Sequence, residues 1–120
     1  NLRRRLRGCV FKSENKGHTL ELIGCSIDHL KSYLESRFTG EMSWQNYGRD
    51  WEIDHFLPCE LFDFSNIRQQ AICFHHSNLI PIYKRENYSK SDFLPDGRRA
   101  RNLTKEEKLN YLKSLGYDLN

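Results

Sequence analysis

No run of apolar residues in this sequence approaches the length of a membrane-spanning helix. Such a helix takes about 20 consecutive apolar residues, and charged residues recur throughout the 120 positions. We therefore expect no membrane span. The first residues also lack a methionine and the apolar core of a secretion signal. We expect an intracellular protein, cytoplasmic or nuclear, that is trimmed or belongs to a longer chain.

The sequence also lacks any Cys-x-x-Cys pair. Its four cysteines are widely spaced, at Cys9, Cys25, Cys59 and Cys73. This spacing favours free thiols in a reducing compartment over a disulfide framework. An alternative zinc site can be assembled from Cys59, Cys73, His75 and His76. Because no paired spacing supports it, we do not expect a structural zinc ion.

The charges are unevenly distributed along the chain. Residues 1–17 hold six Lys/Arg against one acid, residues 18–66 hold three against nine, and residues 67–120 hold ten against six. An acidic middle between basic ends suits a metal centre flanked by segments that bind phosphate. Solvated basic faces would produce the same pattern, so the charges alone do not establish a function.

Hydrophobic periodicity predicts one α+β domain. Strands are expected over residues 51–56 and 79–83, and helices over residues 2–10, 26–38, 65–74, 84–93 and 104–115. The signals that bound these helices are Ser26 and Ser65 as N-caps, a capping box at residues 104–107, and Gly40 and Gly116 as stops. The third helix is expected to bury Ile67, Ala71 and Phe74, with Phe64 as a further core residue.

The domain divides into four parts. These are a basic N-terminal arm (1–17), a scaffold helix and loop (20–50), a central segment (51–93), and a basic loop with a C-terminal helix (94–120).

The central segment carries the residues that suggest chemistry. Asp54 and His55 end the first strand, and Asn78, Asn87 and Lys90 follow. Histidine can take a proton near neutral pH. Mg²⁺ prefers oxygen ligands such as those of Asp54 and Asn87. Strand alternation nevertheless places Asp54 and His55 on opposite faces, so an ideal strand cannot direct both side chains at one ion.

Several short segments together resemble one nuclease family. They are residues 53–58 (IDHFLP), 78–82 (NLIPI) and 86–90 (ENYSK), with 24–26 (GCS) and 44–48 (WQNYG) upstream. The chain resembles the HNH endonucleases, or ββα-metal nucleases, and most closely their small phage- and virus-type members. The resemblance covers residues 20–92.

The resemblance implies a hairpin-plus-helix core and a metal-dependent DNA endonuclease. His55 would be the general base, Asp54 and Asn87 the metal ligands, and Asn78 the residue that ties the loop together and helps to hold the histidine. Lys90 shares a helix face with Asn87, so we expect it to grip a phosphate of double-stranded DNA, with stabilisation of transition-state charge as its alternative role at the catalytic site. Many members carry histidine where Asn87 stands, and an amide oxygen is a harder ligand, so the expected ion is Mg²⁺, with Mn²⁺ as an alternative.

Basic residues elsewhere are candidate contacts to the nucleic-acid backbone. They are Arg3, Arg4, Arg5, Arg7, Arg49, Lys84, Arg85, Arg98, Arg99 and Arg101. Of His75 and His76, one is expected to be structural and hydrogen-bonded and the other exposed, and both are the next metal candidates if Asp54 and Asn87 are not ligands. Two other functions stay open, namely a DNA-binding module that does not cut, and an RNA-directed nuclease.

Overall fold

The computed structural model describes Arg4 and residues 17–120 and has a mixed α+β fold. The described helices and strands are α1 (Gly17–Ile23), α2 (Ile27–Glu35), β1 (Trp51–His55), α3 (Ile67–Phe74), β2 (Leu79–Tyr83), α4 (Lys84–Lys90) and α5 (Lys105–Ser114). The predicted helix over residues 2–10, with Arg3, Arg5 and Arg7, lies outside the described residues. No helix in the described part of the chain has both the length and the apolar content needed to cross a bilayer.

The two predicted strands form an antiparallel hairpin. Trp51 lies opposite Tyr83, and His55 lies opposite Leu79. The sheet has only these two strands among the described residues, so each strand is an edge strand. Pro81, which has no N–H to donate, is tolerated in such a position. Strand β2 continues without a loop into α4, so the helix is positioned directly by the hairpin.

Trp51 anchors the start of β1 in an aromatic cluster. Its ring stacks on Tyr47 at 4.6 Å and contacts Phe38 and Trp44 edge-on or at a tilt. Its indole N–H lies 2.8 Å from the Ser43 carbonyl. The side chain is fully buried with its one donor satisfied, which fixes the register of the strand that carries the candidate site.

The core is divided into two hydrophobic clusters. The first packs α2 against the hairpin and consists of Ile23, Leu30, Leu34, Met42, Tyr47, Trp51, Ile53 and Leu79. The second packs the connection between the strands against α5 and consists of Leu57, Leu61, Phe62, Cys73, Leu94, Ala100, Leu112 and Leu119. The chain passes from the first cluster to the second between Ile53 and Leu57, so Asp54 and His55 lie at the junction.

Several local predictions are confirmed, and α2 ends earlier than predicted. Ser26 caps α2 by accepting from the His29 N–H. The capping box of α5 is present, with reciprocal bonds between Thr104 and Glu107. Helix α2 ends at Glu35 rather than at residue 38, and Phe38 instead packs its ring against the aromatic cluster.

Helix α3 differs from the prediction in its cap and in its buried face. Asn66 is the cap, because the Ser65 hydroxyl and N–H both bond to Asp63. The buried residues are Gln69 and Cys73.

Of the four residues predicted to face the core from this region, Phe74 is partly buried against the second cluster, and the other three are exposed. Ile67 is 80% exposed, Phe64 is also exposed, and Ala71 faces solvent. The helix instead directs a polar residue inward, because the buried Gln69 side chain accepts the Asp63 N–H at 2.8 Å.

Helix α4 ends at Lys90 rather than at residue 93, because Asp92 turns inward. Its carboxylate is 1% exposed and accepts hydrogen bonds from the Arg99 and Arg101 side chains at 3.0 Å and from the Arg101 backbone at 2.8 Å. Ser91 makes the turn with φ at +43°, a left-handed conformation that costs energy for a residue with a side chain. The ion pairs offset that cost.

We expect Asp92→Asn to lower the free energy of unfolding by about 2 kcal/mol, because charge-assisted bonds to a buried carboxylate are lost. Burial raises the pKa of Asp92, but the arginine hydrogen bonds outweigh it and lower the pKa overall. The stabilisation is therefore complete above the unfolded-state pKa of about 3.9 and is lost as the pH falls through the lower folded-state value. Urea unfolding of wild type and of Asp92→Asn, carried out at neutral and at acidic pH, measures both the loss of stability and its dependence on pH.

Asp96→Asn is the matched control, since Asp96 pairs with Arg98 at the surface. It should change the free energy of unfolding much less than Asp92→Asn does, because an ion pair at the surface contributes little. Equal effects of the two substitutions would contradict a special role for Asp92.

Candidate active site

One face of β1 is directed at α4. Asp54 Oδ2 lies 3.8 Å from Lys90 Nζ, and these side chains are only 14% and 17% exposed. Two residues earlier on the same strand face, Glu52 Oε1 accepts a hydrogen bond from Asn87 Nδ2 at 2.5 Å. Asn87 and Lys90 are one helical turn apart, as predicted. Two carboxylates of the strand therefore meet an amide and an ammonium of the helix.

A shallow pocket opens at this face. Its volume is about 220 Å³, and Glu52, Lys84, Asn87 and Tyr88 line it. Carboxylate and amide oxygens are the donors that Mg²⁺ prefers. Asp54 and Asn87, together with Glu52, therefore offer side-chain oxygen atoms of the kind that bind a hard cation. The Lys90 ammonium is the cation beside Asp54 in this structure.

Glu52 is a site residue that the sequence prediction missed. The alternation that separates Asp54 from His55 also places Glu52 on the same face as Asp54. That signal was present in the sequence, but it gains meaning only when α4 is known to cover that face.

His55 extends from the other side of β1, as the alternation predicts. Its Nδ1 lies 2.9 Å from the Cys73 carbonyl oxygen. A carbonyl can only accept, so Nδ1 carries the proton, and the lone pair of the neutral imidazole is on Nε2. The ring also meets Phe74 edge-on at 5.5 Å. Helix α3 therefore sets both the tautomer and the orientation of His55.

The environment of His55 alters its basicity. Burial lowers the pKa of His55, but hydrogen bonding and charge from Cys59, the Cys73 carbonyl and the nearby Asp54 carboxylate outweigh it, so the pKa is raised overall. The Cys73 thiol donates to Cys59 Sγ at 3.7 Å. That bond lowers the pKa of Cys59 and raises the pKa of Cys73.

Asn78 ties the end of β1 to the segment that follows it. Its buried amide accepts the Leu57 N–H at 2.9 Å and donates to the Leu57 carbonyl at 3.1 Å and the Cys73 carbonyl at 3.0 Å. The backbone carbonyl of Asn78 accepts the Phe56 N–H at 2.7 Å. Asn78 and His55 thus donate to the same Cys73 oxygen, so the asparagine fixes the group that orients the histidine.

His75 and His76 have structural partners. His76 Nδ1 lies 2.9 Å from the Ile23 carbonyl, and its ring meets His29 edge-on. His75 Nδ1 lies 2.8 Å from the Ser77 hydroxyl. Cys59 and Cys73 of the alternative zinc site do lie close together, but the histidine that lies beside them is His55.

Most of the described basic residues that were predicted to contact the nucleic-acid backbone fall into two groups. Arg49 and Arg85 line a groove of about 600 Å³ with Tyr83, and Lys84 is adjacent at the start of α4.

The second group follows α4. Arg99 and Arg101 both bind Asp92, while Arg98 pairs with Asp96. Arg4 is exposed.

Asn78→Ala should lower the free energy of unfolding by about 3 kcal/mol, because it leaves the Leu57 N–H and two carbonyls buried without this partner. Asn78→Asp keeps the acceptor for Leu57 but directs a charge at two carbonyls, so it should destabilise at least as much. Urea unfolding measures both variants, with the exposed Asn110→Ala as the control. An Asn78→Ala variant within about 0.5 kcal/mol of wild type would show that the amide does not hold this junction.

Comparison with known proteins finds two viral relatives. The chain is 36% identical over 108 residues to "Uncharacterized protein L246" of Acanthamoeba polyphaga mimivirus, covering 90% of this chain and 46% of the relative. It is 35% identical over 96 residues to "Uncharacterized protein L426" of the same virus, covering 76% of this chain and 42% of the relative. The chain thus spans less than half the length of these relatives. No family model and no solved structure matches.

Proposed function

We propose that this chain is a metal-dependent HNH endonuclease of the ββα-metal class that hydrolyses intracellular double-stranded DNA. One observation supports the proposal above the others. Strand β1 presents Asp54 and Glu52 to Asn87 and Lys90 on one side, while His55, at the end of the same strand, is oriented by a backbone carbonyl. An oxygen-rich cation site beside an oriented histidine suits phosphodiester hydrolysis.

His55 is the proposed general base. Its proton on Nδ1 is held by the Cys73 carbonyl, so Nε2 is free to take a proton from an attacking water. Asn78 acts as a positioning residue, because it holds the same carbonyl. The water then attacks the phosphorus in line, and the products carry 5′-phosphate and 3′-hydroxyl ends, as the family resemblance implies.

Asp54 and Asn87 are the proposed ligands of Mg²⁺, with Glu52 as an additional oxygen donor. When bound, Mg²⁺ supplies positive charge for the scissile phosphate and the departing 3′ oxygen. Glu52 accepts a hydrogen bond from the Asn87 NH₂ group. This bond orients the amide and determines where its oxygen points.

Lys90 has two proposed partners. It neutralises Asp54 at 3.8 Å in the absence of metal. With a cation bound at Asp54, Lys90 would be available to contact a DNA phosphate. Lys84, Arg85 and Arg49 lie toward the opposite end of α4 and extend the basic surface along the proposed DNA path.

His55→Ala should slow cleavage of a supercoiled plasmid by about 10²- to 10⁴-fold at saturating Mg²⁺, since the general base is removed. EDTA should abolish wild-type cleavage. His18→Ala, which alters an exposed histidine on α1, is the control and should cut as fast as wild type. A His55→Ala variant that cleaves DNA at the wild-type rate would show that His55 is not the general base.

Mg²⁺-independent DNA binding without cleavage of any DNA would favour a non-cutting binding module, and preferential cleavage of competing RNA would favour an RNA-directed nuclease.

Lys90→Gln should lower the half-saturating Mg²⁺ concentration by about fivefold, because a cation that competes for Asp54 is removed, and ~1 kcal/mol is a reasonable screened value at this distance. The same substitution should slow cleavage at saturating Mg²⁺, since a phosphate contact is lost. Titration of cleavage rate against Mg²⁺ separates the two effects.

Lys113→Gln, on the exposed side of α5, is the control and should change neither quantity. A higher Mg²⁺ requirement in Lys90→Gln would contradict competition at Asp54.

A further inference from the structure

Three metal-ligating side chains meet on the side of β1 that faces away from α4. His55 ends the strand, Cys59 begins the short 3-10 turn Cys59–Leu61, and Cys73 lies near the end of α3. Their ligand atoms all lie within 4.8 Å of one another. The two sulfurs are 3.7 Å apart, and His55 Nδ1 is 3.9 Å from Cys73 Sγ.

These distances are close to those of a tetrahedral zinc site. With Zn–S bonds of about 2.3 Å, two sulfurs of a tetrahedron lie about 3.8 Å apart, and with a Zn–N bond of about 2.0 Å the sulfur-to-nitrogen distance is about 3.5 Å. The sulfur pair already has this separation. His55 Nδ1 is about 0.4 Å farther from Cys73 Sγ than the sulfur-to-nitrogen value, and binding through Nδ1 would exchange its hydrogen bond to the Cys73 carbonyl for the ion.

We propose that His55, Cys59 and Cys73 bind Zn²⁺, or another soft divalent ion, at a second metal site distinct from the oxygen face of β1. Cys73 is fully buried, whereas Cys59 and His55 are half-buried. The site is therefore reached from the Cys59 side, and three protein ligands leave the fourth position for water. Binding releases the protons of the two thiols, because the ligands are thiolates.

The donor types keep the two sites separate. Thiolate and imidazole select zinc-like ions, whereas carboxylate and amide oxygens select Mg²⁺. A large excess of Mg²⁺ should therefore not displace zinc from the sulfur site.

Zinc at this site would also remove the proposed base. If Nδ1 binds the ion, the ring proton must move to Nε2, and the lone pair that accepts a proton from water is lost. This consequence rests on the proposed nuclease function, whereas the metal site itself does not.

The test is zinc binding to the reduced, DNA-free protein, measured by competition with a chromophoric chelator, together with Co²⁺ absorption. Wild type should bind one Zn²⁺ per chain, and the Co²⁺ form should show thiolate charge-transfer bands. Cys59→Ser should weaken zinc binding by more than about 100-fold, because even the loss of an outer-shell partner costs 10- to 100-fold. Its charge-transfer intensity should fall to about half as one of two thiolates is removed.

Cys25→Ser is the matched control, since Cys25 is a half-buried free thiol outside the cluster. It should bind zinc as wild type does. Circular dichroism of the metal-free variants checks that each is folded, and His55→Ala provides a second ligand variant if Cys59→Ser is not.

Three results would overturn the site. They are equal zinc affinity of Cys59→Ser and wild type, loss of binding in Cys25→Ser, and displacement of zinc by Mg²⁺. Cleavage provides the separate readout. Zinc that binds one per chain and blocks Mg²⁺-supported cleavage, with recovery on chelation, supports both the site and the base. If zinc binds but does not block cleavage, the metal site is supported and the proposal that His55 is the general base is contradicted.

Discussion

The backbone carbonyl of Cys73 is the point on which the arrangement of the candidate site depends. It accepts from His55 Nδ1 and from Asn78 Nδ2, so one oxygen joins the end of β1, the end of α3 and the start of β2. Asn78 completes the junction by pairing both backbone groups of Leu57. Buried polar groups are costly when unpaired and directional when paired. A fully satisfied amide therefore fixes the geometry where the two hydrophobic clusters meet.

A second polar constraint determines where α4 ends. Asp92 is buried on the arginines that follow it, and the turn at Ser91 brings it there. Lys90 is consequently in the last turn of α4. A cation in that position also interacts favourably with the carbonyl end of the helix. The buried carboxylate of Asp92 and the lysine beside Asp54 thus depend on the same helix end.

Local signals in the sequence were enough to predict the two strands, the Ser26 cap and the capping box of α5, because each depends on residues within a few positions. The pairing of the strands joins residues 24 to 32 positions apart, and it was expected from the family resemblance. The buried face of α3 and the end of α4 could not be predicted in the same way. The first follows from a bond between Asp63 and Gln69, and the second from Asp92 meeting Arg101 nine residues later.

The candidate site shows the same difference between features that the sequence predicted and contacts that it did not. The pairing of α4 with β1 was expected from the family resemblance, and the helical spacing predicted only that Asn87 and Lys90 share a face. In the structure Asp54 meets Lys90, and Asn87 meets the neighbouring Glu52. The meeting of His55 with Cys73 spans 18 residues and requires α3 to fold back on the strand end. The alternative zinc site offered by the sequence paired Cys59 and Cys73 with His75 and His76, but the Nδ1 atoms of these two histidines lie beside the Ser77 hydroxyl and the Ile23 carbonyl.

The alternation of β1, which looked like an obstacle to a site containing both Asp54 and His55, gives the strand end two chemically different sides. Oxygen donors lie on the side of α4, and nitrogen and sulfur donors lie on the side of α3. Hard and soft cations are separated by donor type more reliably than by affinity. A single residue step along the strand therefore separates the group proposed to hold Mg²⁺ from the group proposed to take the proton. Burial lowers the pKa of His55, whereas hydrogen bonding and charge from Cys59 raise it, so the sulfur side of the strand also affects the proposed base.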